Sequence, residues 1–456
     1  MQTQWEDANT IEREVKKFRD IFSKSIYAEL LSRIDGANGV LQTLTQQSFQ
    51  REQARSRRRT SSKSLANHRK ARTHARHLHN AVVKGRYWGC PCREKHVVNL
   101  RLDSRFIVDS DHSSSPPFRP TFRLALSSFN NSGSTGSLWQ WQEIDTEPAD
   151  ALESKLSSAQ ASGLVIGSNP GVSVKKVQFA AVASALQSIP WPIAQPQHDF
   201  PAISDICSAL CGIASDRRLP VPLGFICADS DANQRYNLYL IRNISKDMQT
   251  RTLEDLLASS QSRTRPRNCH GRVVFNRRDR LFLATTLACS VLQLHGSWLK
   301  DQWRSRDIVF AEEEESKKAM LEYPYISWYV SKNEDGLRAP PLKRTVSSLI
   351  RSQVLFPLGL ALVELSLGRT LASMREPEDH DVDDAVIDLK TASRLIGDVC
   401  YESGGRYGDV VKKCLFWNGS EDANLDNEDL QQAVFESIVS PLLEDYKDFE
   451  GKSRIH

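Results

Sequence analysis

Leu294-His295-Gly296-Ser297-Trp298-Leu299-Lys300-Asp301-Gln302-Trp303-Arg304-Ser305-Arg306-Asp307-Ile308-Val309-Phe310 is the stretch on which the reading of this chain turns. It opens at the end of an apolar helix, crosses a polar turn holding two tryptophans, and enters a strand. The helix is predicted over Arg278–His295, because Leu281, Ala284, Ala288, Val291 and Leu294 recur at helical spacing on one side. Downstream, Phe356-Pro-Leu-Gly-Leu-Ala-Leu-Val-Glu-Leu365 is apolar all round and predicts a buried helix within Val354–Leu367, with Gly368-Arg369 after it. Further helices are expected over Ala385–Cys400, Tyr407–Phe416 and Leu430–Tyr446.

Upstream the pattern is different. Thr252 is placed to cap a helix over Leu253–Leu257, with Glu254 and Asp255 in its first turn. Leu223–Cys227 and Tyr236–Ile241 read as two strands, and Ile203–Ile213 as a short helix. His96–Leu102, Thr121–Leu126 and Leu138–Ile144 alternate in period two and predict strands, with Ser-, Pro- and Gly-rich loops between them. Val172–Ala181 is a further strand candidate.

The first 50 residues are helical in pattern. Ile11, Val15, Phe18, Phe22, Ile26, Leu30 and Ile34 share one face, and Gly36 and Gly39 are expected to end that helix. Such a face must be covered by the chain itself, by a helical bundle or by an oligomer. Arg51–Arg86 then carries 12 Lys and Arg against one acid, Glu52, a net +11. The remainder holds 48 basic and 55 acidic residues, a net −7, so the overall +4 is the balance of two opposite parts. Arg57–Ser64 reads as a solvated linker, and the part after it, with Leu65, Leu78, Val82 and Val83, as helix.

The chain has 456 residues, 40% hydrophobic and 25% charged, which excludes wholesale disorder, collagen and a disulfide miniprotein. Its longest apolar stretch, Val354–Leu367, contains Glu364 and lies between Arg351 and Arg369, so it is short for a membrane span of ~20 residues. Met1–Thr10 is polar and lacks a signal pattern. Nine scattered cysteines read as reduced thiols, which predicts a cytoplasmic protein, with the nucleus as the second choice.

From Leu223 onward the order of elements resembles a protein kinase. A strand pair runs into Thr252-Leu-Glu-Asp-Leu-Leu257, then a long helix ends in Leu294-His295. Asp307-Ile-Val-Phe310 stands where a kinase has the strand after its catalytic loop, and the helix with Gly359 and Glu364 resembles the buried central helix of the large lobe. The fold class expected is therefore α+β: an N-terminal helical segment, then a degenerate kinase-like domain with a small β-rich lobe and a mainly helical lobe. The expected divisions are 1–50 helical, 51–86 basic linker and helix, 87–260 β-rich, and 261–456 helical.

Phosphoryl transfer needs a lysine on the phosphates, metal-binding Asp and Asn, and a catalytic-loop Asp. Between Tyr87 and Pro190 there is no Gly-rich loop, and Asp-Phe-Gly occurs nowhere in the chain. Alignment of Asp307 with the loop Asn puts Gln302 at the base position, and Gln cannot accept the proton. No catalytic residue is assigned; Asp301, Asp307 and Lys175 are the candidates that remain, and ATP-Mg is the nucleotide they would serve.

Trp88-x-Cys90-x-Cys92-x-x-x-His96, Leu294-His295 with Trp298 and Trp303 before Asp307, and the Leu355–Leu365 helix with Gly359 and Glu364 together resemble an uncharacterised fungal family. The resemblance implies a kinase-like C-terminal domain of unknown function, often fused to helical domains similar to the prion-inhibition-and-propagation (HeLo-type) group.

Cys90-Pro-Cys92-Arg-Glu-Lys-His96 places two thiols and an imidazole within seven residues, with His77 or His79 available as a fourth ligand. Zinc takes four such N and S ligands. The competing expectation is a tight turn with inert thiols and no cofactor. Arg57, Arg58, Arg59, Arg69, Lys70 and Arg72 are candidates to bind nucleic acid or an anionic membrane. The segment 51–86 has no Phe, Tyr or Trp for base stacking, and it is equally suited to docking on the acidic body of its own chain. Three functions follow: a non-catalytic pseudokinase-like interaction protein, a divergent ATP-dependent kinase, or a nucleic-acid- or membrane-associated protein. An unidentified protein is the partner expected first.

Overall fold

A computed structural model describes residues 3–84, 86–103, 118–128, 141–149, 200–213, 219–228, 234–244, 248–261, 275–313, 318–330, 349–419 and 425–451. The chain forms two compact units, Met1–Ser64 and Leu65–His456.

Helix α1 spans Thr3–Val83 and contributes to both units. The helix end expected at Gly36 and Gly39 and the linker expected over Arg57–Ser64 are corrected by this continuous helix. Each glycine costs only about 1 kcal/mol relative to Ala, and Leu30, Leu31, Arg33, Ala37, Leu41 and Gln42 around them are good helix formers. In the first unit the apolar residues predicted to share a face, among them Phe18, Phe22, Ile26 and Leu30, are exposed.

The second unit is built on one antiparallel sheet of eight strands. In chain order they are β1 His96–Arg101, β2 Phe122–Ser128, β3 Trp141–Ala149, β4 Val221–Cys227, β5 Arg235–Ile244, β6 Gln249–Thr252, β7 Ile308–Glu313 and β8 Lys318–Tyr329. Their order across the sheet is β4-β5-β3-β2-β1-β8-β7-β6. β1 therefore sits between β2 and β8, with Val98 opposite Leu126 on one side and Trp328 on the other. Strands β7 and β8, which follow the quoted stretch, thus join the sheet of the region 87–260. The acidic residues Glu312 and Glu313 belong to β7.

The helices of this unit are α2 Ile206–Cys211, α3 Leu253–Gln261, α4 Arg277–Leu294, α5 Phe356–Leu367, α6 Asp384–Arg394, α7 Ile396–Ser403, α8 Gly405–Leu415, α9 Glu428–Val434 and α10 Ser440–Phe449. Asn276 and Asp279 close α4 with a reciprocal capping box, and its residues from Leu283 to Leu294 are all buried. Gly368 ends α5 at φ +64, a left-handed conformation that suits glycine. Two long helices expected downstream are interrupted. Leu395 separates α6 from α7, and a π turn at Phe435–Val439 separates α9 from α10.

Residues 65–83 of α1 are part of this core. Leu65, His68, Ala71, Arg72, Ala75, Leu78 and Val82 recur every three or four residues and are buried. One hydrophobic cluster joins Leu65, Ala75, Leu78 and Val82 to the sheet, to α4 and to α5. The indole of Trp298 donates to the Ala75 carbonyl at 2.8 Å, and that of Trp328 to the Trp298 carbonyl at 2.7 Å. No helix among the described residues is long and apolar enough to cross a membrane.

Candidate functional site

The residues between α1 and β1 form a tight turn. Arg93 N–H donates to the Cys90 carbonyl at 3.3 Å and Lys95 N–H to the Cys92 carbonyl at 2.9 Å, which folds Cys90-Pro-Cys92 back toward His96, the first residue of β1. A second element meets this turn. The Asp205 carboxylate caps α2 by accepting Ser208 N–H at 3.1 Å, and it also accepts Gly89 N–H at 3.0 Å. Ile206 N–H donates to the Tyr87 carbonyl at 2.8 Å. These bonds fix the first turn of α2 against the loop, and Cys207 in that turn faces the two loop thiols.

Four ligand-type side chains converge as a result. Cys90 and Cys92 Sγ each lie 3.3 Å from His96 Nε2, and Cys92 Sγ lies 3.7 Å from Cys207 Sγ. All four ligand atoms fall within 4.8 Å of one another. Cys207 and His96 are buried, while the other two are half-buried. Burial pushes the Cys90 thiol up to about 11, raises Cys207 further, and lowers His96, which favours the neutral imidazole. Trp88 packs against the His96 ring with centroids 4.9 Å apart, and its own indole donates to the Val82 carbonyl at 2.7 Å.

His79, expected as the fourth ligand, is elsewhere. It lies edge-on to Trp298 and Trp328, at centroid distances of 5.1 and 4.9 Å, and burial lowers it to about 4. Cys207 takes the place instead. Sequence spacing gave no sign of it, since 110 residues separate it from His96. The usable signal was the cap: Asp205 opening a short helix fixes which residue faces the loop.

The two catalytic candidates among the described residues each have a local partner of their own. Asp307 accepts the backbone N–H of Arg304 at 2.8 Å and closes a 3-10 turn at Ser305–Asp307. Asp301 faces His295 at 3.4 Å with its side chain 74% exposed. Between them Trp303 is buried. Lys175 lies outside the described residues, as does the strand candidate Val172–Ala181. Arg304 packs over the Phe356 ring at 5.7 Å and lies 3.7 Å from Asp388. Behind the turn, Glu364 in α5 is buried, accepts Leu371 N–H at 2.7 Å, and is raised to about 7 by burial. Gly359, one α5 turn earlier, lies where an added Cβ would meet Leu415 Cδ2 at 2.9 Å and Cys414 Cβ at 3.0 Å. Leu294 belongs to the same buried core.

Much of the basic segment is engaged within the second unit. Arg72, buried, donates to Asp426 at 2.9 Å and to the Leu292 carbonyl at 3.3 Å. Arg76 also donates to Asp426. Arg69 pairs with Glu428 at 2.8 Å and donates to Gln431 at 3.0 Å, and Lys70 donates to the Phe118 carbonyl at 2.9 Å. Arg59 is exposed; the side chains of Arg57 and Arg58 lie outside the described residues.

A family profile described as a domain of unknown function (DUF7580) matches residues 66–449. The chain belongs to that family. No curated protein matches the sequence. Among solved structures, the chain is similar to one in the complex of Neurospora crassa PAN2 (WD40-CS1) with PAN3 (pseudokinase and C-term), at 8% identity and a TM-score of 0.26, over 82% of this chain and 70% of that one.

Proposed function

We propose that the unit Leu65–His456 is a kinase-like domain without phosphoryl-transfer activity, acting as a protein-binding or regulatory module. The observation that carries this reading is the use made of the two candidate carboxylates. Asp307 caps its own backbone at Arg304, and Asp301 projects outward beside His295. In the sequence between them, Gln302 falls at the position expected for the base, and Trp303 is buried. Catalysis of phosphoryl transfer is positioning plus charge stabilisation, and here one carboxylate is engaged in a backbone cap and the other is solvent-exposed. The order of α3, α4, the 3-10 turn, β7 and α5 supports the kinase-like part of the reading. The sequence resemblance supplies the setting: a fungal signalling or self-recognition pathway, with a helical region preceding the domain.

A thermal-shift titration with ATP, with and without magnesium, tests it. The expected change in Tm is under about 1 °C at millimolar nucleotide, because an unliganded state gains no stability by mass action. A saturable, magnesium-dependent rise of several degrees, with phosphate transfer abolished by Asp301→Asn or Asp307→Asn, would establish a divergent kinase instead.

A further inference from the structure

We infer that Cys90, Cys92, His96 and Cys207 form a closed structural zinc site that ties the loop after α1 to the first turn of α2. Tetrahedral zinc, with bonds near 2.3 Å to sulfur and 2.0–2.1 Å to nitrogen, sets ligand separations of about 3.8 Å between sulfurs and about 3.5 Å between sulfur and nitrogen. The separations found are 3.7 Å for Cys92–Cys207 and 3.3 Å from each of Cys90 and Cys92 to His96 Nε2. They lie close to three of the six edges of one tetrahedron, and the remaining pairs are within 4.8 Å.

Hydrogen bonding alone does not account for this packing. Thiols are weak donors and weak acceptors, so hydrogen bonds among them give little reason for four such atoms to gather. A disulfide does not account for it either, since the bonded S–S distance is near 2.05 Å and these cysteines are free. A cation at the centre satisfies all four groups at once. Three sulfurs and one nitrogen favour zinc over hard cations, and four protein ligands leave no position for a reacting water. Binding displaces one proton from each thiol, three in all, and each thiolate sulfur donates an electron pair to the metal. The imidazole donates from Nε2, and Trp88 packs on its ring. The site ties two segments far apart in the chain, the turn before β1 and the start of α2, where the surrounding interactions are a helix cap and a few backbone bonds.

The full chain, purified under reducing conditions without a metal-affinity tag, is analysed for zinc by elemental mass spectrometry. One zinc per chain is expected, falling below about a tenth of an equivalent in Cys207→Ser and in Cys92→Ser, while His79→Gln keeps its zinc. If those variants do not fold, the wild-type protein carries the test. Cobalt exchanged into it gives a thiolate charge-transfer band and intense visible bands of a tetrahedral site, and an organomercurial that blocks thiols releases one zinc. Metal-free wild-type protein whose thiols at 90, 92 and 207 all react freely with a thiol reagent, or a Cys92–Cys207 disulfide in its peptide map, overturns the inference. So does zinc retained in folded Cys207→Ser but lost in His79→Gln.

Discussion

Replacement of Glu364 by Gln should make the protein more stable at alkaline pH and leave it little changed in acid. The carboxyl is buried in α5, where it accepts Leu371 N–H, and burial is the main cause that raises it from 4.5 to about 7. The protonated form is the one the fold prefers. Below about pH 4.5 both folded and unfolded chains hold the proton, and the stabilisation from this group is fully present. Between 4.5 and about 7 the folded state binds more protons than the unfolded state, so stability falls as pH rises. Above about 7 the loss is complete. The separation is worth roughly 3 kcal/mol at ~1.4 kcal/mol per pH unit. Gln keeps the acceptor for Leu371 and has no proton to lose. It gives up the attraction to Arg304, which burial lowers and which Asp388 and, more weakly, Glu364 act against. The assay is urea unfolding of both proteins at about pH 5 and about pH 8, where other groups titrate alike and cancel in the difference. The advantage of the variant should grow by about 2–3 kcal/mol between the two conditions. A difference that is constant, or that grows toward acid, refutes the assignment of a protonated buried carboxyl.

Gly359→Ala should destabilise the second unit by about 1–3 kcal/mol, through overpacking of the new Cβ on Cys414 and Leu415; urea unfolding reads the loss. Arg72→Met keeps most of the buried volume but leaves the Leu292 carbonyl without its donor, and should cost about 1–3 kcal/mol. The Asp426 pair adds little to that figure, because its carboxylate is 47% exposed and keeps Arg76. Phe18→Asp with Ile26→Asp, on the exposed face of the first unit, should change the unfolding free energy by less than about 0.5 kcal/mol while lowering the binding of a hydrophobic dye.

The strands and the large helices were legible because their signals are local. The period-two runs at His96–Leu102 and Thr121–Leu126 became β1 and β2, and the all-round apolar run around Gly359 became the buried α5. Element boundaries were less legible where local preference is weak against continuation. Gly36 and Gly39 looked like stops, yet a glycine cost of about 1 kcal/mol does not end a helix whose neighbours favour it. In the other direction, Leu395 gave no sequence signal for the break between α6 and α7. Three of the four members of the candidate site, in the turn Cys90 to His96, are visible as a cluster. For the fourth, nearness in sequence offers His77 or His79, and aromatic packing on Trp298 and Trp328 holds His79 elsewhere.

By itself the sequence determined the classes of segment. It set where strands and buried helices form, the absence of an Asp-Phe-Gly motif, and a charge split between a +11 segment and a −7 remainder. These depend on residue type and short-range period. Only the tertiary structure decided what those charges and thiols face. It turned Arg69, Arg72 and Arg76 from a free basic surface into partners of Glu428 and Asp426, and it brought Cys207 to within 3.7 Å of Cys92. The reason is that an ion pair or a ligand set depends on separations of a few ångströms between residues far apart in the chain, and the packing of α1 and α2 against the sheet fixes those separations.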